Sequence, residues 1–327
     1  MTPLIDLHRH LGGSITPEVV WSIIQKQKQL SSLADSLKAV EQDLTYKHDD
    51  KQNLTFHKFL QKFGILNYIR WDEDTIDYAI NNVIADMKTE GLEYCELRFS
   101  INKYLNYIPW DERASCLFVL NRIEYWSKEH GVKIGPILCI KHESPKIESE
   151  RISKLIHHWR IAEQVAGIDV VGAESHFSKR YIKDSFRYWE MCGKGRLIHA
   201  GETQSAENVK IAINDLKVTR IAHGIAAAND KDVLQLAVDK GVVFDIALTS
   251  NYLTGVTKIT DNHPVIKMIK AGCIITIGTD DPAIFHITIQ DEYDLLKDIL
   301  TKAKMSNIDN IIENIKRNSV NYALQYK

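Results

Sequence analysis

The 327-residue chain predicts an α/β fold, a (β/α)8 TIM-type barrel with additional helices between strands 1 and 2, and three observations carry that expectation. Short aliphatic or β-branched runs occur at 4–8, 92–99, 133–140, 168–172, 196–199, 219–223, 242–248 and 274–278, eight in all. Between most of them lie stretches with helical spacing of apolar residues. His8, His10, Glu96, Arg98, Gly172, His199, His223 and Asp280 all fall at or near the carboxyl ends of their runs. An open doubly wound sheet shares the alternation, but functional residues gathered at the carboxyl ends of eight strands favour the barrel.

The first run continues through Arg9 to His10 before Gly12 and Gly13 break it. Side chains alternate along extended backbone, so His8 and His10 share a face and one divalent metal could take both. Taken alone, the pair reads equally well as two ordinary polar strand residues. The interval of about 83 residues before the second strand should hold extra helices, in the polar stretch Lys26 to Asn53 and the more apolar Leu54 to Phe63. We read it as a lid over the barrel mouth. Phe59 and Phe63, an i, i+4 pair, either belong to that lid or form a core stripe.

Helical spacing returns at Ile76, Ala79, Val83, Ile84 and Met87, and again at Val233, Leu234, Leu236 and Ala237. Gly91, Gly131, Gly241 and Gly272 mark helix ends just ahead of the next strand. Three later segments end alike: Leu197 to Glu202 (LIHAGE), Arg220 to Gly224 (RIAHG) and Ile277 to Pro282 (IGTDDP). Each is a short apolar run leading to a residue with metal-binding or proton-transfer chemistry and a Gly or Pro that breaks the strand.

The whole of 1–327 reads as a single domain, since 44% apolar composition and a length somewhat above that of one barrel suffice for one large core. A net charge of -2 offers no footprint for nucleic acid or an anionic membrane surface. Five scattered cysteines suggest no disulfide framework, and the absence of a Pro-Cys-x-x-Cys element counts against the thiolate zinc site of cytidine deaminases. No signal peptide or transmembrane run is evident, and a cytoplasmic location is expected. Oligomeric state is not legible.

In order along the chain, His8-Arg9-His10, Glu93 to Ser100, Gly167 to Gly172, His199-Ala200-Gly201-Glu202, His223-Gly224, Ser250 to Gly255 and Thr279 to Pro282 resemble the adenosine deaminase family of the amidohydrolase superfamily. The resemblance implies one Zn²⁺ per chain, held by His8, His10, His199 and Asp280. Superfamily members with two metals use a modified lysine after the fourth strand, and Gly167 to Ala173 contains none. It further implies a small-molecule purine substrate attacked at C6, with His223 orienting water and taking its proton, and Glu202 protonating N1 as a neutral acid. Asp281 would share a hydrogen with N7, Gly172 N–H would meet N3, and His10 would touch substrate. Asp281 reads alternatively as a helix N-cap before Pro282, and Gly172 as a turn residue. Other histidines, such as His157, His158 and His263, read as surface residues.

The chain departs from the family at Gly12, where typical members carry an aspartate for the ribose 5′-hydroxyl. A 5′-modified substrate such as AMP or dAMP then becomes admissible, because no carboxylate would repel it. Gly12 and Ser14 are candidate contacts for such a group, with Phe59 and Phe63 from the lid; a plain tight turn capped by Ser14 or Thr16 is the alternative. Adenine as free base, amides or phosphoesters on the same barrel, and a catalytically silent purine-binding protein are the competing functions.

Overall fold

A computed structural model describes residues 2–46, 55–105, 107, 111–203 and 205–326. Its strands are β1 (Ile5–His10), β2 (Tyr94–Phe99), β3 (Lys133–Lys141), β4 (Gly167–Val171), β5 (Gly195–Ala200), β6 (Arg220–His223), β7 (Val243–Ile246) and β8 (Ile274–Ile277). All eight expected runs are strands, each within a few residues of its expected limits. They form one sheet in the order β1 to β8, every neighbouring pair parallel. The sheet is joined back to β1 just past β8, where His10 N donates to the Asp280 carbonyl and Asp280 N to that of His8. The result is the (β/α)8 barrel that the alternation predicts.

Helix ends follow local chemistry. Asp111 caps Glu112–His130 by accepting from Ala114 N, and Gly131 closes that helix in the left-handed region that only glycine enters without strain. His263, expected at the surface, is instead buried, with Nδ1 accepting from Val265 N to cap Pro264–Ala271. The interval between β1 and β2 holds the helices Pro17–Lys26, Leu37–Leu44, Phe56–Lys62 and Glu73–Thr89; its residues 47–54, part of the expected lid, lie outside the described residues. Phe59 does both things considered for it: it packs with Tyr46, Ile284 and Phe285 and also lines the cavity at the barrel mouth.

The barrel interior carries a column of charge. At the amino-terminal end Glu96 pairs with Arg220 and accepts from Leu324 N in the C-terminal tail. Arg220 Nε lies 3.2 Å from Asp245, Arg98 Nη2 3.5 Å from the same carboxylate, and Arg98 Nε 2.6 Å from Asp169. Asp169 in turn reaches His199. Burial alone would raise the Asp169 carboxyl; His199 and Arg98 override it and hold it well below the usual carboxylate range. Removing one member of such a chain strands a buried charge. Glu96→Ala is expected to cost about 3–5 kcal/mol of unfolding free energy in urea titration, whereas the double variant Glu96→Leu with Arg220→Met should cost less than the single change.

Candidate active site

The rim formed by β1, β5 and the residues just past β8 brings His8, His10, His199 and Asp280 together, with one ligand atom from each, all within 4.8 Å of one another. His199 Nε2 lies 3.2 Å from His8 Nε2 and 3.3 Å from His10 Nε2, while Asp280 Oδ1 is 3.4 and 3.3 Å from the same two atoms. Two rings are held from behind: His199 Nδ1 stands 3.2 Å from Asp169 Oδ1 and His8 Nδ1 3.5 Å from the Asp245 carbonyl. Ser250 Oγ donates to Asp280 Oδ2 at 2.7 Å. Burial, aided by Arg98, pushes His8 well below its ordinary range, and burial takes His10 to about 3. The neutral His8 and His10 rings therefore turn their Nε2 atoms toward His199 Nε2 and toward a carboxylate. Lone pairs so arranged repel unless a cation lies among them, and a set of three nitrogens and one oxygen suits a divalent metal of the zinc type. The residues fit a metal.

Beside this set, His223 Nε2 is 3.7 Å from Glu202 Oε1 and 3.9 Å from Asp280 Oδ2, and the Asn251 amide sits 3.0 Å from His223 Nδ1. Burial lowers His223 to about 3. Burial also raises Glu202 well above the carboxylate range, with Asp280 and Glu174 adding to it. Glu174 fixes the Glu202 turn by accepting from the backbone N–H groups of Gly201, Glu202 and Thr203 at 2.5, 3.1 and 2.9 Å. Asp281 is raised as well, first by burial and then by Asp280. Its side chain makes no capping bond to the Pro282–Phe285 helix, and its Oδ1 has no hydrogen-bond partner among the described residues. His223 and Asp280 both hold left-handed backbone, at φ 61° and 65°, a conformation that costs roughly 1–3 kcal/mol off glycine and collects at functional sites.

A cavity of about 460 Å³ opens over this cluster, and His10, Gly12, Phe59, Phe63, Gly172, His199, Glu202, His223, Asp280 and Asp281 all line it. Ser14 does not. Its hydroxyl donates to the His10 carbonyl at 2.7 Å and it faces a separate cleft beside Arg9 and Glu90, so the expected Ser14 contact is corrected. Thr16 makes no side-chain cap either. Several residues escaped the sequence reading. Asp169 and Asp245 are strand residues whose partners lie far along the chain, and His142 reaches the His199 carbonyl at 3.0 Å from the end of β3. Glu174 and Lys103 stand in the loops that follow β4 and β2, where a search of every carboxyl-end loop would have found them.

Residues of metal-ligand type and proton-transfer groups gather at the carboxyl rim of a (β/α)8 barrel, and the family matched by the chain makes it a hydrolase acting on C–N bonds. The family model described as adenosine deaminase matches residues 3–324, and the chain belongs to that family. An adenosine deaminase of Shewanella loihica is 27% identical over 324 residues, 98% of this chain and 94% of that one. Among solved structures, adenine deaminase from Arthrobacter aurescens superposes with a TM-score of 0.84 at 18% identity, covering 99% of this chain and 94% of that one. Arabidopsis ADAL complexed with IMP gives a TM-score of 0.81 at 19% identity, covering 100% and 93%.

Gly13 is the tightest point of the site. A Cβ there would stand 1.7 Å from Asp281 Oδ1, so Gly13→Ala must displace that carboxyl. Turnover is expected to fall about 100-fold, the effect of a misplacement of about 1 Å, with bound metal by atomic absorption unchanged.

Proposed function

We propose that the protein deaminates a 6-aminopurine nucleoside, or a 5′-modified form such as AMP or dAMP, hydrolytically to the 6-oxopurine and ammonia, with one Zn²⁺ per chain. The observation that carries the reading is the juxtaposition of a raised Glu202 carboxyl and a neutral His223 over the His8, His10, His199 and Asp280 set. When bound there, zinc would act as a Lewis acid that lowers the pKa of coordinated water from about 16 to about 7.

The chain's own groups supply the remaining steps. His223 Nε2 faces the cluster, the Asn251 amide beside Nδ1 steadies the ring, and the neutral ring takes a proton from the attacking water at Nε2. Attack at C6 breaks the aromatic ring and sends charge to N1. Glu202, kept protonated by burial, donates its proton there. The amine departs as ammonia with a proton from the new C6 hydroxyl, and transfer from His223 back to Glu202 restores both groups. Asp281, raised and with Oδ1 unpaired among the described residues, shares a hydrogen with N7. Gly172, where a Cβ would lie 2.5 Å from Glu143 Oε2, offers its N–H to N3. Phe59 and Phe63 cover the substrate.

Free adenine is the second reading, favoured by the fold shared with the Arthrobacter adenine deaminase; IMP in the Arabidopsis neighbour is a 6-oxopurine carrying a 5′-phosphate. Metal-loaded protein is expected to release ammonia, with the shift from adenine-type to hypoxanthine-type absorbance, from at least one of adenine, adenosine, AMP, dAMP and a 5′-thioether nucleoside. Silence on all of them would end the reading. Glu202→Gln should keep its metal and lose at least about 100-fold in kcat, within the usual range for a general acid, whereas Asp280→Ala should lose metal and turnover together. Because the protonated form of Glu202 is the active one and burial raises its pKa, kcat should hold through neutral pH and fall on the alkaline side.

A further inference from the structure

The cavity has two chemically different ends. Glu202, Asp280 and Asp281 crowd the end at the metal-binding set, and Glu143 borders Gly172. Among the described residues the atoms nearest Gly12 on this side are not acidic: a Cβ built on that residue would meet Lys103 Nζ at 3.8 Å and the Phe63 ring at 3.9 Å. The Lys103 ammonium lies 4.6 Å from the centroid of the buried Trp71 ring. Among the described residues Lys103 has no ion pair, and its charged neighbour is another cation, Lys141, which also lines the cavity. Burial, followed by Lys141, brings the Lys103 amine down to about 8, so it stays mainly charged at neutral pH. A cation drawn from water without a counter-charge is costly, and a ligand that brings the counter-charge removes that cost.

We propose that Lys103, facing the side-chain-free Gly12, is the specificity residue that contacts a 5′-phosphate, so that the substrate is an adenine nucleoside 5′-monophosphate. The proposal rests on the deaminase reading above, which places the purine among Glu202, His223 and Asp281. Gly12 follows His10 by two residues, at most about 7 Å of chain, a span of the order of the sugar that separates base from phosphate. A phosphate brings close to two negative charges to the end of the cavity where Lys103 and Lys141 stand. Gly12 admits that group because it projects nothing toward Lys103.

The test compares kcat/KM for AMP and adenosine in the zinc-loaded wild type, Lys103→Met, Lys103→Arg and Gly12→Asp. The wild type should favour AMP, and Lys103→Met should shrink the AMP-to-adenosine ratio about 30-fold or more, the scale for truncating one partner of a buried charge pair, mainly through KM. Lys103→Arg should recover most of the ratio. Gly12→Asp should move preference toward adenosine, which keeps the proposal testable should Lys103→Met fail to fold. Preference of the wild type for adenosine or adenine, or an equal loss on both substrates in Lys103→Met, would overturn it. If the wild type deaminated no adenine compound, the broader reading would fail and this proposal with it; failure of the ratio alone leaves the broader reading standing.

Discussion

Three imidazoles and one carboxylate converge with neighbouring ligand atoms 3.2–3.4 Å apart, and most of the barrel is arranged around sustaining that contact. Water would solvate these groups at no such proximity; the protein must hold them from behind. Asp169 does so for His199, and is itself held by Arg98, which reaches Asp245, which reaches Arg220, which reaches Glu96 and the C-terminal tail. Charges of opposite sign alternate along the column, so each desolvated ion has a partner. The column thus leaves no charge stranded while fixing ring orientation at the rim.

The seam of the barrel serves the same end. β1 meets the segment after β8 through the backbones of His8, His10 and Asp280 themselves, so sheet closure and donor convergence are one event. Left-handed backbone at Asp280 and His223 follows from ending a strand and turning its last side chain inward across the rim. Close approach at Gly13 and at Gly278, where a Cβ would lie 2.4 Å from that of His8, belongs to the same crowding. Such strain persists only where surrounding hydrogen bonds over-determine the conformation.

What the sequence made legible follows from periodicity. His8 and His10 are two apart on a strand, and His199, His223 and Asp280 each sit where an aliphatic run stops; both are local signals, and the structure brings all five together. Asp169 and Asp245 carry no local signal, because a charged residue inside a buried strand announces a partner without saying which. Glu174 acts through its contacts with the backbone of Gly201, Glu202 and Thr203, across a sequence separation that no pattern bridges. Ser14 was misplaced because a hydroxyl beside two glycines resembles an anion cradle, whereas the turn directs it to the His10 carbonyl. His263 reads as a surface residue in the sequence because no local pattern tells that an imidazole will cap a helix as a serine does.

The groups assigned to the proposed reaction and those assigned to the proposed substrate preference occupy different parts of the chain. The former stand at or just past strand ends, braced by the hydrogen-bonded sheet and the charge column. Gly12, Lys103 and Phe63 stand on connecting turns, outside the sheet, where a substitution changes the cavity wall without disturbing the column. A Cβ at Gly12 meets only the far end of a lysine and one ring edge at 3.8 and 3.9 Å, ordinary contact distances. The neighbouring Gly13, by contrast, has no such freedom, because Asp281 fills its space. Two adjacent glycines therefore answer to different constraints: one is required by the geometry of the chemistry, and the other is open to change with the group a substrate carries.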